Sequence, residues 1–257
     1  MNISLILQMA ADTAPGRIGL VWEGRRWSYR DLRQAARGAA ANIVASGCSH
    51  LALLDESSEA APIALFGAAL AGVPYVPLNY RLADTDLAAL LERVAPACII
   101  GDIDRAQRLA DDAGHTCYSR EQFVRAAQAA AETASGEERE GEGIAAQIFT
   151  SGTTAAPKAA LLRHSNLLGY ILGTVEFCSA PEEDAQLVCV PPYHIAGISA
   201  LLSSIYALRR IVMLPAFDPD DWLELASGEH VTNAFLVPTM LARIIERLND
   251  GVQADLG

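Results

Sequence analysis

From His50 onward, short apolar runs of strand character alternate with longer helical runs, and this alternation constrains the fold more than any other feature of the chain. The run LALL at 51–54 is followed by the polar break DESSE, a helical stretch from Ala60 to Ala71, Gly72 as its stop, and the strand-like YVP at 75–77. That order is a βαβ unit, because two parallel strands can be joined only by a crossover of about helix length. Helical Asp84 to Val94, strand Ala97 to Ile100 and a helix near Arg105 to Asp112 extend the pattern. It resumes with strand AAQIFT at 145–150, the loop SGTTAAPKA at 151–159, a helix from Ser165, strand QLVCV at 186–190 and a helical stretch after His194. Strand IVMLP at 211–215, helix Asp220 to Ala226, strand NAFLV at 233–237 and a helix from Thr239 complete it. The opening differs: a helix through Leu5, Ile6 and Met9, strand Ile18 to Trp22, a Glu23-Gly24 turn and a return through Arg26 and Trp27. Ser28 then caps a helix beginning near Tyr29. The expected fold class is α/β, with layered sheets flanked by helices.

With 257 residues, 51% of them hydrophobic, the chain has ample material for a buried core. Between Glu132 and Gly143 the segment ETASGEEREGEG holds five Glu and three Gly and nothing apolar larger than Ala, so it reads as a solvated connection within one assembly. The formal charge of -12 argues against nucleic acid or anionic membrane as partners, since both would repel the surface. Any phosphate ligand therefore needs a local site. Five scattered cysteines with no CxxC pair read as reduced core residues and favour the cytoplasm. No basic leader and no membrane-spanning apolar stretch is evident.

One loop supplies such a local site. In IFTSGTTAAPKAALLRH a β-branched and aromatic strand runs into a small, hydroxyl-rich loop ending in Pro157 and Lys158. Ser151, Thr153 and Thr154 offer hydroxyl donors, Gly152 lets backbone N–H groups approach an anion, and Lys158 brings positive charge. Lys158 is also the only lysine among the 19 basic residues. Arginine and lysine are not interchangeable, and the one compact ammonium stands in this loop. The loop is no Walker motif, because Pro157 and Ala159 flank the lysine where that motif needs Gly and Ser or Thr. A turn rich in Ser, Thr and Gly is common in any protein; the whole ordered string after a strand is not.

TSGTTAAPKA resembles the TSGTTGxPKG signature of adenylate-forming enzymes, the superfamily of acyl-CoA synthetases, luciferases and peptide-synthetase adenylation domains. The resemblance spans essentially the whole chain, through RRWSYRDL at 25–32, AGVPYVPLNYRL at 71–82, PPYHIAG at 191–197 and VPTML at 237–241. It implies that residues 1–257 are an incomplete N-terminal AMP-binding domain. Thr150, Ser151, Gly152, Thr153, Thr154 and Lys158 would cradle the β- and γ-phosphates of ATP, accompanied by Mg²⁺, while a carboxylate attacks the α-phosphate. The acyl-AMP would then pass its acyl group to CoA, with a fatty acid as the expected carboxylate. His194 matches a family histidine beside the carboxylate, which gives it a catalytic and substrate-binding role. Gly197 would leave room for acyl substrate, or is a plain loop glycine. VPLNYRL, with Asn79, favours CoA ligases over peptide-synthetase domains, and GISALLSSIYAL reads equally as an acyl tunnel wall or a buried helix.

Ala155 and Ala159 depart from the family's glycines, and their Cβ atoms would crowd phosphates if those positions require left-handed backbone. The other histidines show no metal-ligand spacing, and DPDDW at 218–222 reads as a capped helix start. The family's GYGxTE segment, its ribose-binding aspartate and its C-terminal domain with a catalytic lysine have no counterpart here, so these residues alone are expected to be inactive or nearly so. An acyl-AMP ligase that loads a carrier protein, and a non-catalytic nucleotide- or partner-binding relic, are the alternatives.

Overall fold

The computed structural model describes residues 1–110, 113–131, 143–150 and 157–256. The acidic segment at 132–142 and Ser151, Gly152, Thr153, Thr154 and Ala155 lie outside the described residues.

The chain opens with α1 (Ser4–Thr13), the hairpin β1 (Ile18–Trp22) and β2 (Arg25–Ser28), and α2 (Tyr29–Ser46). Ser28 caps α2 in a complete capping box: its hydroxyl accepts from the Asp31 N–H, and the Asp31 side chain accepts from the Ser28 N–H. Then follow β3 (His50–Leu54), α3 (Ala60–Ala71), β4 (Tyr75–Pro77), α4 (Asp84–Glu92), β5 (Ala97–Gly101) and α5 (Ile103–Ala110). Gly72 ends α3 at φ 74°, a left-handed cap that costs a residue without Cβ nothing. Next come β6 (Thr116–Tyr118), α6 (Arg120–Ala131), β7 (Ile144–Thr150), β8 (Lys158–Arg163) and α7 (His164–Thr174). The remainder is β9 (Ala185–Val188), α8 (Ile195–Ala207), β10 (Arg210–Met213), α9 (Pro219–Gly228), β11 (Asn233–Ala234) and α10 (Pro238–Asn249).

These strands form two sheets, one in the order β11-β9-β10-β1-β2 and the other β6-β5-β3-β4-β7-β8. All pairings are parallel except the two that end the sheets, β1 with β2 and β7 with β8. Strand alternation sorts the side chains into layers. Leu51 and Leu53 of β3 face a core shared with α1, α2, α3 and α8, as do Ile211 and Met213 of β10, so these helices lie between the sheets. Ala52 and Leu54 face the opposite way, against Leu87, Leu90 and Leu91 of α4. Leu187 of β9 packs outward on Trp222 and Leu223 of α9 and Ile244 of α10. Every residue of α3 is buried, which explains its apolar circumference.

Four expectations are corrected. Lys158 and Ala159, expected as the end of the loop, instead begin strand β8, which runs to Arg163 and pairs antiparallel along β7 from Ile144↔Arg163 to Thr150↔Lys158. Its Ala and Leu favour a helix by propensity, and cross-strand pairing outweighs that preference. NAFLV supplies only the pair Asn233–Ala234 to β11. The helix expected to run to Val94 stops at Glu92. Cys178 is exposed at φ 57° in a turn and is no core residue, whereas Cys48, Cys98 and Cys189 are buried. Asp218 caps α9 as the sequence suggests, accepting from the Asp220 and Asp221 N–H groups.

Candidate functional site

The β7–β8 hairpin brings both ends of the hydroxyl-rich loop together. Thr150 is the cross-strand partner of Lys158, and its Oγ1 donates to the Lys158 carbonyl at 3.4 Å. Lys158 is exposed. Ala159 faces Phe149 within the ladder and is not among the residues with positive φ, so its Cβ carries none of the strain expected of a left-handed position.

Beside this hairpin lies a cleft of about 490 Å³. One wall is the hairpin itself, with Phe149, Thr150, Pro157 and Leu162; the other is Tyr193, His194 and Ile195, with Asn79, Leu82 and Leu90 closing the side. Segments far apart in sequence thus meet at one place. His194 is the N-cap of α8, in extended conformation with no side-chain cap bond, so the first amides of that helix receive no side-chain acceptor from it. Their partial positive charge sits at the cleft wall. Among the described residues no Asp or Glu lines the cleft. An acid-free hollow with a lysine at its hairpin and a helix N-terminus in its wall suits an anionic ligand.

An aromatic cluster supports His194. Its ring lies 4.6 Å from that of Tyr193, which in turn meets Tyr80 edge-on at 5.7 Å. Burial pushes the Tyr80 phenol up, and its hydroxyl has no hydrogen-bond partner among the described residues. Arg105 fixes the segment carrying Asn79 and Tyr80 by donating to the carbonyls of Tyr80 and Leu82 and to Asp84.

The structure therefore gathers Thr150, the Lys158 end of the hairpin and His194 around one cleft. Gly197 is placed elsewhere: it is buried beneath the Pro191–Pro192 turn, where an added Cβ would lie 3.4 Å from the Pro191 carbonyl. There it borders a small void with Ser57, Tyr75 and Met213, too small for a substrate. Sequence reading missed Tyr80, Tyr193 and Phe149 as site residues, although all three stand inside the motif segments AGVPYVPLNYRL, PPYHIAG and IFTSGTTAAPKAALLRH. Among the described residues no group of three or more His, Cys, Asp or Glu could hold a metal ion, and no helix is long and apolar enough to cross a membrane.

Comparison with known proteins gives a consistent picture. The model of the family described as AMP-binding enzyme matches residues 7–257. The 2-succinylbenzoate–CoA ligase of Bacillus cereus (strain AH820) is 26% identical over 252 residues, which are 95% of this chain and 50% of that protein. Indoleacetate–CoA ligase of Aromatoleum aromaticum is 25% identical over 263 residues, 96% of this chain and 52% of that one. The crystal structure of ATP-bound MatB from Rhodopseudomonas palustris superposes with a TM-score of 0.81 at 26% identity, covering 96% of this chain and 51% of that chain. The chain thus spans about half the length of the curated relatives it matches along its whole length.

Proposed function

The chain belongs to the AMP-binding enzyme family, and from that membership we propose that it supplies the phosphate-loop and carboxylate side of an ATP-dependent, AMP-forming CoA ligase. The observation that carries the proposal is the acid-free cleft joining Thr150 and Pro157 of the hairpin to His194 at the start of α8. Thr150, Ser151, Gly152, Thr153, Thr154 and Lys158 hold the β- and γ-phosphates of ATP in this reading. Lys158 neutralises charge on the departing pyrophosphate, the kind of electrostatic contribution that dominates phosphoryl-transfer chemistry. His194 orients the substrate carboxylate, one oxygen of which attacks the α-phosphorus as the bond to the bridging oxygen of pyrophosphate breaks. The first amides of α8 stabilise the same carboxylate. Mg²⁺ would accompany the nucleotide and offset charge on its phosphates; among the described residues no carboxylate lines the cleft to hold it. The acyl-AMP then acylates the thiol of CoA.

For the carboxylate we propose an aromatic acid ahead of the fatty acid that the sequence suggested. Phe149 and Tyr193 provide flat walls in the cleft, and the similar ligases are named for 2-succinylbenzoate and indoleacetate. Gly197 packs under its turn outside the cleft lining, where an added Cβ would meet the Pro191 carbonyl at 3.4 Å, an ordinary contact, so no substrate role is assigned to it. MgATP titration into the purified chain tests the proposal. Lys158→Ala should weaken binding about tenfold, equivalent to roughly 1.4 kcal/mol, while His194→Ala leaves ATP affinity within about twofold. Equal ATP affinity in the parent and the Lys158 variant would sink the assignment. Pyrophosphate release by the full-length enzyme with aryl and fatty acids, with CoA or a carrier protein as acceptor, selects the substrate and excludes or establishes the carrier-loading alternative.

A further inference from the structure

We infer that Arg93 is a positioning residue for the phosphate loop, holding its two ends in register from outside the cleft; the inference rests on the phosphate-loop reading above. Arg93 is the C-cap of α4, next to the hairpin in space and far from it in sequence. Its guanidinium lies over the ring of Phe149, 4.8 Å from the centroid. Its Nη1 donates to the carbonyl of Pro157 at 2.6 Å. Phe149 immediately precedes Thr150, and Pro157 immediately precedes Lys158. One side chain therefore ties together the residues that enter and leave the loop.

The chemistry of the side chain suits this task. A guanidinium is planar, so it can stack on a ring with its face and donate in its plane at the same time, which an ammonium does less well. Among the described residues Arg93 makes no ion pair. Its contacts are spent on the hairpin rather than on a surface carboxylate. It does not itself line the cleft, whereas Phe149 and Pro157 do. Catalytic loops lose function when their supports shift by about 1 Å, and the backbone ladder from Ile144 to Thr150 fixes register only up to the Thr150–Lys158 pair. Arg93 adds a second tie at that point, from a different element of the fold.

MgATP titration of the parent chain, Arg93→Ala, Arg93→Lys and Lys158→Ala, each at about 0.1 M and about 0.5 M salt, tests the inference, because a charge acting through solvent is screened between those conditions. Arg93→Ala should bind about fivefold more weakly at both salt concentrations, and Arg93→Lys, which keeps a cation and a donor, should recover part of that loss. A loss that disappears at the higher salt overturns positioning, since Arg93 would then act only as a charge. Unchanged affinity of Arg93→Ala alongside weakened Lys158→Ala overturns the inference and leaves the phosphate site standing. Unchanged affinity of Lys158→Ala, or no binding by the parent, overturns both.

Discussion

Helices α2 and α6 meet at Gly38, and replacing that glycine by alanine sets two well-characterised effects against each other. A Cβ at position 38 would lie 1.8 Å from the carbonyl oxygen of Ala127 and 2.7 Å from the amide nitrogen of Ala131. Both are backbone atoms, so no rotamer change relieves the contact, and α6 must retreat by about 1.5 Å before the distance is ordinary. That retreat loosens Phe123, Val124 and Ala127, the buried face of α6. Overpacking usually costs about 1–3 kcal/mol and occasionally more, and a 1.8 Å clash with rigid backbone belongs at the upper end, about 3–4 kcal/mol. Alanine in a helix interior returns about 1 kcal/mol relative to glycine, leaving a net loss of about 2–3 kcal/mol. For a chain of this size that lowers the melting temperature by about 5–10 °C. Gly169 is the matched control: it lies in α7, and an added Cβ there finds nothing within 4 Å. Gly169→Ala should therefore be stabilising by up to about 1 kcal/mol. Thermal unfolding followed by circular dichroism decides the matter. A Gly38→Ala protein that melts at or above the parent temperature would refute the close approach of α2 and α6.

Two further perturbations follow from buried and half-buried polar groups. Burial pushes His50, His115 and His164 below the ordinary histidine value, and the rings of His115 and His164 accept backbone N–H groups from Ala97 and Ile3 through Nδ1. Because the unfolded chain takes up these protons first, the stabilisation is complete above about pH 6.5 and falls as pH drops below it, levelling off under the depressed folded values. Urea unfolding between pH 5 and 8 should show this slope, and a His164→Gln variant should flatten it. Arg105→Ala removes the donor to two carbonyls and to Asp84. It should cost about 2 kcal/mol, with faster amide exchange confined mainly to residues 79–84; an unchanged exchange pattern would show that the segment holds itself.

The features legible in the sequence were those written in near neighbours. Ser28 with Asp31, Gly72 after an apolar helix, and the DPDDW start of α9 each state their structure within a few residues. The apolar run LALL was legible for the same reason, and its two faces do separate into two cores. The candidate loop was legible because its residue types carry their chemistry with them. Strand β8 was not: Lys158 to Arg163 is an edge strand with mixed exposure, and its conformation is decided by β7 rather than by its own alanines and leucines. Strand β6 and helix α6 went unnoticed because three half-buried residues and an alanine-rich stretch give little periodicity.

The sequence by itself determined the α/β class, the order of most elements, the family resemblance and the presence of one lysine in a hydroxyl-rich loop. Only the tertiary structure decided that His194 faces that loop's hairpin across a cleft lined by no carboxylate among the described residues, that Gly197 lies beneath a turn outside it, and that Arg93 touches both ends of the loop. The physical reason is range. Caps, turns and amphipathic periods are settled by interactions over a few residues, whereas a cleft is set by how separate elements pack, and residues 64 apart, such as Arg93 and Pro157, meet only when the layers close.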